Sequence, residues 1–197
     1  ICNLLSKLRI DIMCVVTFDW EENDAIEKFE NFDRLKKLVW VVLEITQKCN
    51  FNCRWCYANS GIHGRDMKKE DIIHVINVLA ESGIKQITIS GGEPTLHPHL
   101  KDAIKTAADN GMIVHMNTNG FLLTKKLAKE LASLGLTQVQ MNIDSVIPEK
   151  HDTIRGMKGS FERVIKAFKN AKAAGITCVS QTVLSRENED EVAEHGT

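Results

Sequence analysis

Neither sign of charge dominates this chain. Its 25 lysines and arginines nearly balance 26 aspartates and glutamates, which gives a formal net charge of −1. There is no basic stripe to indicate nucleic-acid binding and no run of like charges to indicate a disordered tail. Its apolar runs are no longer than a strand, which is too short to cross a membrane. These absences leave a globular domain, and 197 residues with a 43% apolar fraction can bury one substantial core.

The six cysteines are unevenly spaced along the chain. Three fall within eight residues, and the others have no partner at ligand spacing: Cys2, Cys14 and Cys178. This usage is typical of a metal-binding set plus free thiols rather than a disulfide framework. Free thiols persist in reducing compartments, so the sequence predicts a cytoplasmic protein.

The spacing of the three clustered cysteines indicates an iron–sulfur site. Cys49, Cys53 and Cys56 follow the pattern C-x-x-x-C-x-x-C. Three thiolates can hold three irons of a four-iron cluster and leave the fourth iron without a protein ligand. A zinc site completed by His63 is the alternative, because structural zinc normally has a fourth Cys or His ligand. A ferredoxin-like carrier is disfavoured, since carriers normally use four cysteines for each cluster.

Apolar segments and glycines alternate in the manner of successive strand–helix units. The expected strands cover residues 38–45, 86–90, 112–118, 139–144 and 176–184. The expected helices cover residues 71–82, 100–110, 124–134 and a segment with Phe161, Val164, Ile165 and Phe168 at helical spacing. Each helix is followed by a glycine, the preferred residue just past a helix end: Gly83, Gly111, Gly135 and Gly175. Right-handed crossovers join such units into a parallel sheet, so we expect an α/β fold, a partial βα barrel of about five units.

Polar motifs follow four of the predicted strands. The three cysteines come after the first strand, and the later strands are followed by Gly91-Gly92-Glu93-Pro94, Asn117-Thr118-Asn119-Gly120 and Asn142-Ile143-Asp144-Ser145. In βα barrels the loops at the carboxyl ends of the strands converge on one ligand. A glycine pair lets a ligand approach the backbone, and a neighbouring carboxylate can pair with a cationic amino group.

Taken together, these motifs resemble the radical SAM superfamily, and in particular its SPASM/twitch group. The cysteine spacing with an aromatic residue before the last cysteine, here Trp55, is similar to that family's signature, and residues 91–94 match its GGEP motif. Residues 151–156 and 159–161 resemble the HDxxRG and GSF stretch of the SPASM/twitch group. The resemblance covers residues 39–188. It implies that the three cysteines ligate a [4Fe–4S] cluster whose open iron binds S-adenosylmethionine (SAM).

The resemblance also implies where SAM is held. Glu93 and the backbone of Gly91 and Gly92 would contact its methionyl amino group. Tyr57 and Asn117 belong to the same expected cofactor-binding set.

Further cofactor contacts are implied by the motifs after the fourth strand. Asn142 and Asp144 match polar positions near the ribose and carboxylate, although the family's Ser-Ile-Asp begins here with Asn. Arg155 would meet the SAM carboxylate, since a guanidinium matches a carboxylate in bidentate geometry. The family's adenine-contacting GxIxGxxE pattern is not recognisable in residues 175–181, so the adenine contacts stay unassigned.

Each of these residues also has a purely structural interpretation. Glu93 precedes a proline and could cap the following helix, and Asp144 could stabilise a helix N-terminus. Arg155 could form an ion pair at the barrel rim, and Tyr57 could simply cover the cluster. Residues 119–120 favour a turn.

In radical SAM enzymes an electron from the cluster cleaves SAM to methionine and a 5′-deoxyadenosyl radical, which abstracts hydrogen from a substrate. The resemblance therefore implies an enzyme, an electron donor such as ferredoxin or flavodoxin, and a peptide or cofactor-precursor substrate. The cluster is oxygen-labile in this family, which implies an anaerobic or protected setting. Two alternatives stay open: a truncated pseudoenzyme that binds cluster and SAM without turnover, and a non-enzymatic zinc module.

The sequence divides into two predicted parts. Residues 1–37 are expected to form an N-terminal extension of uncertain fold, strand-like at 8–18 and helix-like at 20–37. Residues 38–197 are expected to form a truncated radical SAM core, a partial TIM barrel. It stops about where the helix after the fifth strand should begin, so the C-terminal part of the barrel is expected to be missing and the sheet edge open. A signal peptide is not expected, because the first apolar run lacks a basic start and a cleavage site.

Overall fold

A computed structural model of the chain describes residues 14–15, 40–189 and 191. One parallel sheet contains six strands in sequence order: β1 (Cys14–Val15), β2 (Trp40–Glu44), β3 (Gln86–Ser90), β4 (Ile113–Asn117), β5 (Leu136–Asn142) and β6 (Thr177–Gln181). Every neighbouring pair is parallel, so the carboxyl ends of all the strands lie at one edge of the sheet. In this order β1 and β6 each have one neighbour, so the described strands form an open arc, and the predicted partial α/β barrel is confirmed.

Helices connect the strands from β2 onwards. They are α1 (Lys69–Glu81), α2 (Leu100–Asp109), α3 (Lys125–Ser133), α4 (Pro148–Arg155) and α5 (Ser160–Ala173), with a short 3₁₀ helix at Pro94–Leu96. The four glycines expected after helices have positive φ angles between 73° and 106°. Glycine adopts this left-handed backbone without a steric penalty, so the predicted helix ends are confirmed.

The sequence does not predict α4, which lies between β5 and α5. Pro148 starts this helix with a φ angle already suited to it, and Gly156 ends it at φ 62°. Only His151 and Ile154 are buried along its length, so it has no apolar stripe for periodicity to detect. Its position matters for the site because it ends at Arg155.

The two faces of the sheet differ in chemistry. Alternate residues of β2 to β5 are buried in one apolar core with the helices: Val41, Leu43, Ile87, Ile89, Val114, Met116, Val139 and Met141. The opposite face carries polar side chains that contact one another across strands. There the Trp40 indole donates to the Thr88 hydroxyl at 2.6 Å, and the amides of Gln86 and Gln138 each lie 3.3 Å from His115 Nδ1. The core therefore lies between sheet and helices, and the polar face lines the inside of the arc.

The predicted N-terminal extension is described at two residues. Cys14–Val15 pairs in parallel with β2, in keeping with strand-like content at residues 8–18. The rest of residues 1–37, including the helix-like segment, lies outside the described residues. Within the described part, no helix is long and apolar enough to span a membrane.

Candidate active site

A pocket at the carboxyl edge of the sheet brings together residues from five strand ends. Its lining includes Cys49, Cys53, Cys56, Tyr57, Gly91, Gly92, Asn117, Asn142 and Arg155. All the predicted site residues are in that set except Glu93 and Asp144, which are buried. The parallel strands therefore place most of the predicted residues around one space.

We call the loop after β2, which carries Cys49, Cys53 and Cys56, the cysteine loop; it turns the three thiols towards this pocket. The Cys49 amide donates to the Gly61 carbonyl at 3.1 Å, and the Cys56 amide donates to the Cys53 carbonyl at 3.2 Å. The Phe51 ring is buried beneath the loop, and its amide donates to Cys49 Sγ at 3.4 Å. One buried ring and a few backbone hydrogen bonds thus fix a loop that carries three sulfur donors.

Burial shapes the chemistry of these thiols. Burial raises the pKa of Cys53 to about 11, although the neighbouring Arg155 guanidinium acts in the opposite direction. Burial also raises the pKa of Cys49, against a hydrogen bond from the Phe51 amide. Such thiols stay protonated at neutral pH until a metal displaces the proton. Three soft sulfur donors around one pocket suit an iron–sulfur cluster, so the donor set fits that group.

The zinc alternative requires four ligands around one ion. Within the described ranges, no three Cys, His, Asp or Glu side chains are grouped so that they could hold one metal ion. His63, the alternative fourth zinc ligand, is exposed and is not among the residues that line the pocket.

Glu93 is a structural tie between two strand ends. Its carboxylate is 0% exposed and accepts hydrogen bonds from Thr95, from the Thr118 hydroxyl at 2.7 Å and from the Asn119 amide at 2.7 Å. Burial raises its pKa, while these donors favour the ionised form. Glu93 also caps the 3₁₀ helix, so the capping role considered for it is confirmed. Its predicted contact with the SAM amino group stays a prediction.

Gly91 and Gly92 allow two backbone segments to touch. The Gly92 amide donates to the Thr46 carbonyl at 2.7 Å, and a Cβ on Gly92 would lie 2.3 Å from the Lys48 carbonyl oxygen. A Cβ on Gly91 would lie 2.2 Å from the Thr46 carbonyl oxygen. The glycine pair therefore holds the loop after β3 against the start of the cysteine loop, in addition to lining the pocket.

Asp144 and Arg155 contact each other. Arg155 donates to Asp144 Oδ2 at 3.3 Å, and Asp144 Oδ1 accepts from the Val183 amide at 3.0 Å. Asp144 is 1% exposed, whereas Arg155 reaches the pocket and lies over the Phe51 ring at 5.9 Å. The ion pair considered for Arg155 is therefore present, and it orients the guanidinium. Asp144 does not cap α4, whose N-cap is Ile147.

Tyr57 stands at the mouth of the pocket. Its ring is 74% exposed, and its hydroxyl donates to Glu44 Oε1 at 2.8 Å. Sequence reasoning missed other lining residues, including Phe51, Gln140, Gln181 and Val183. The signal for Gln140 was the alternation of polar residues along β5, which ends at Asn142. Gln181 and Val183 follow from the pairing of β6 with β5, which a single sequence does not show.

The profile of the Radical SAM superfamily matches residues 43–196 of this chain. The chain belongs to the Radical SAM superfamily. The predicted resemblance is thus confirmed, and with it the expected cofactors, since enzymes of this family bind a [4Fe–4S] cluster and SAM.

This radical SAM chain is similar in sequence to curated relatives with different names. It is 33% identical over 159 residues to the Fe-coproporphyrin III synthase of Methanosarcina barkeri. The aligned residues make up 80% of this chain and 39% of that protein. It is also 31% identical over 172 residues to the mycofactocin maturase MftC of Mycolicibacterium smegmatis. Here the aligned residues make up 86% of this chain and 43% of that protein. The chain spans less than half the length of these relatives.

A solved structure confirms the radical SAM fold. Streptococcus suis SuiB bound to S-adenosylmethionine superposes with a TM-score of 0.69 at 17% sequence identity, covering 98% of this chain and 46% of that chain.

Proposed function

We propose that this chain is the core of a radical SAM enzyme that abstracts hydrogen from a peptide or a cofactor precursor. The observation that carries the proposal is the shared pocket of three thiols, the Gly91–Gly92 backbone and the Arg155 guanidinium. This set offers both a cluster site and a neighbouring cation for a carboxylate.

The residues of the pocket have separate tasks. Cys49, Cys53 and Cys56 would hold the cluster and leave one iron open. When bound, the cluster and SAM supply a 5′-deoxyadenosyl radical. Arg155 would bind the SAM carboxylate, because a guanidinium offers two parallel donors to a carboxylate. Asp144 would act as a positioning residue, since it holds Arg155 at 3.3 Å.

The walls of the pocket would exclude water and orient the ligand. Glu93 fixes the loops after β3 and β4 to each other, and the two glycines fix the loop after β3 to the cysteine loop. Rigid walls keep reacting atoms in position, which is the protein's main contribution in cofactor-based catalysis.

Relatives support the proposed substrate classes. They include the AdoMet-dependent heme synthase of Methanosarcina barkeri and the sporulation killing factor maturation protein SkfB of Bacillus subtilis. The SuiB structure has also been solved with its precursor peptide SuiA. The inner face of the arc offers amide groups for a polar substrate, including Gln140, which donates to Gln181 at 2.5 Å. An electron donor such as ferredoxin or flavodoxin, and a reducing cytoplasmic setting, complete the proposal.

The test is nucleoside formation by the reconstituted protein. The purified chain is loaded anaerobically with iron and sulfide, reduced with dithionite and incubated with SAM. We expect 5′-deoxyadenosine and methionine in equal amounts from the wild type and neither from Cys53→Ala. A cluster that binds SAM without forming the nucleoside would support the pseudoenzyme alternative. A protein that takes up zinc and no iron–sulfur cluster would contradict the proposal.

A further inference from the structure

A cationic face lies on the outer side of the arc, where α3 and α5 pack together. Its exposed cations are Lys125, Lys126, Lys129, Arg163, Lys166, Lys169 and Lys172. We call this set the α3–α5 cationic face. None of these cations forms an ion pair with another described residue.

Acidic side chains do little to neutralise this face. Glu130 of α3 pairs instead with Lys101 of α2 at 2.6 Å. Glu162 lines a shallow depression together with Lys166 and Lys169. The chain as a whole has a net charge of −1, so these cations are a local concentration. Arg163, Lys166, Lys169 and Lys172 recur at every third position of α5, so the expectation that the chain has no basic stripe is corrected here. A surface with such an excess of cations attracts partners of the opposite charge and speeds their association.

The α3–α5 cationic face adjoins the cysteine loop. Lys125, Arg163 and Lys166 line a groove between the two helices together with Phe121. The Arg163 guanidinium lies over the Phe121 ring at 5.1 Å, and the Phe121 ring meets the Phe51 ring edge-on at 5.6 Å.

Phe51 belongs to the cysteine loop and donates its amide to Cys49 Sγ at 3.4 Å. Two ring contacts therefore connect the cationic groove with a thiol of the candidate cluster site.

The groove and the pocket lie on opposite sides of one loop. In the segment after β4, Asn119 lines the pocket, whereas Gly120 and Phe121 line the groove. Ligands in the pocket thus occupy the inner side, and a macromolecule on the groove approaches the cysteine loop from outside without competing for the pocket.

We propose that the α3–α5 cationic face docks an acidic one-electron carrier protein of the flavodoxin or ferredoxin class. The inference rests on the proposed function, because a cluster that cleaves SAM must first receive an electron. One electron would leave the carrier's reduced flavin or iron–sulfur centre, which is oxidised, and reduce the cluster held by Cys49, Cys53 and Cys56. No bond forms or breaks in this step and no proton moves.

The test compares two charge-reversal variants of the reconstituted protein. Arg163→Glu/Lys166→Glu changes the groove, and Lys68→Glu/Lys85→Glu makes the same charge change at exposed positions away from it. The dissociation constant of an oxidised acidic flavodoxin is measured by calorimetry at several salt concentrations. We expect the groove variant to weaken binding at least tenfold and to flatten its salt dependence, while the control stays within twofold of wild type.

A second measurement separates docking from the proposed function. With dithionite as the reductant, both variants should form 5′-deoxyadenosine at the wild-type rate, because a small reductant needs no docking surface. With subsaturating reduced flavodoxin, the groove variant should be at least tenfold slower.

Equal dissociation constants and equal flavodoxin-driven rates for both variants would overturn the docking proposal while leaving the proposed function intact. Binding of a nucleic acid or an anionic vesicle to this face, with no binding of the carrier, would also overturn it. Failure of the wild type with dithionite would instead contradict the proposed function.

Discussion

The two faces of the central sheet show how one set of strands serves stability and chemistry separately. On the outer face, Leu43, Ile87 and Val139 are completely buried against the helices. On the inner face, Thr88 and Gln140 occur in the same strands and carry polar side chains. Because successive residues of a strand point to opposite faces, a single alternating sequence builds both surfaces.

Away from the carboxyl edge of the sheet, the polar inner face consists largely of uncharged side chains. The side-chain amides of Gln86 and Gln138 each lie 3.3 Å from His115 Nδ1, and burial lowers the pKa of His115. The charge is at the carboxyl rim, where the Arg155 guanidinium lies beside the thiols. We therefore expect substitutions on the outer face to change the free energy of unfolding. Substitutions at the carboxyl rim should change ligand binding.

The largest expected effect is the loss of the cluster from Cys53→Ala. Removal of one of three thiolates leaves an iron without its ligand, so iron and sulfide content should fall to background after reconstitution. The free energy of unfolding of the metal-free protein should change by no more than about 1 kcal/mol, because the thiol contributes little to the core.

Cys178→Ala is the matched control for this variant. Cys178 is half-buried on β6 and makes no contribution to the pocket lining, so its variant should keep a full cluster. A full cluster in Cys53→Ala, or its loss in Cys178→Ala, would contradict the ligand assignment.

A second pair of variants compares the two faces directly. Leu43→Ala should lower the free energy of unfolding by about 2–5 kcal/mol, because it leaves a cavity in the core. Gln140→Ala should lower it by about 1 kcal/mol or less, since it removes one exposed hydrogen bond to Gln181. Urea titrations of the metal-free proteins measure both values, and equal losses would break the distinction between the faces.

Substitutions of Arg155 and Asp144 test how the carboxyl rim of the sheet binds SAM. Arg155→Ala should weaken SAM binding to the reconstituted protein about tenfold or more, because a charge-assisted hydrogen bond to the carboxylate contributes about 1.5–3 kcal/mol. Asp144→Asn should weaken it less, since Asp144 only orients the guanidinium. Equilibrium dialysis with labelled SAM checks both, and unchanged affinity in Arg155→Ala would remove this residue from the proposed site.

The smallest expected effect concerns the segment after β6. Glu191 forms an ion pair with Lys150 and accepts a hydrogen bond from the Ser145 hydroxyl at 2.6 Å, and the Lys150 contact does most to lower the pKa of Glu191 to about 2. Because the folded state favours the ionised carboxylate, this stabilisation is present above the usual glutamate pKa of about 4.3 and is lost as the pH falls towards 2.

Glu191→Gln should therefore lose stability at pH 6 and show a flatter decline than wild type between pH 5 and pH 2.5. Thermal unfolding across that range measures the difference. Parallel curves for the two proteins would show that this carboxylate does not fasten the segment to the loop after β5.

Much of the fold is predictable because its signals are local. The strand at residues 86–90 matches β3 at both ends, and glycine at residues 83, 111, 135 and 175 marks where helices end. Helix α4 escapes prediction because eight residues with two buried side chains give no periodic signal. Proline and glycine at its two ends were the available cues.

The candidate site was predictable as a set of residues, and less so as a set of roles. Strand order placed the cysteines and Asn142 at one rim. The roles of Glu93 and Asp144 depend on contacts with Asn119 and Val183, which are distant in sequence. A carboxylate in a motif looks the same whether it meets a ligand or a buried amide, so only the fold separates the two.

The most direct test of the central claim is the electron paramagnetic resonance spectrum of the reconstituted, reduced protein before and after addition of SAM. If the three thiols hold a [4Fe–4S] cluster with one open iron, the spectrum should show a reduced cluster whose signal changes when SAM binds to that iron. A reduced cluster with a spectrum that SAM leaves unchanged, or no cluster signal at all, would contradict the account.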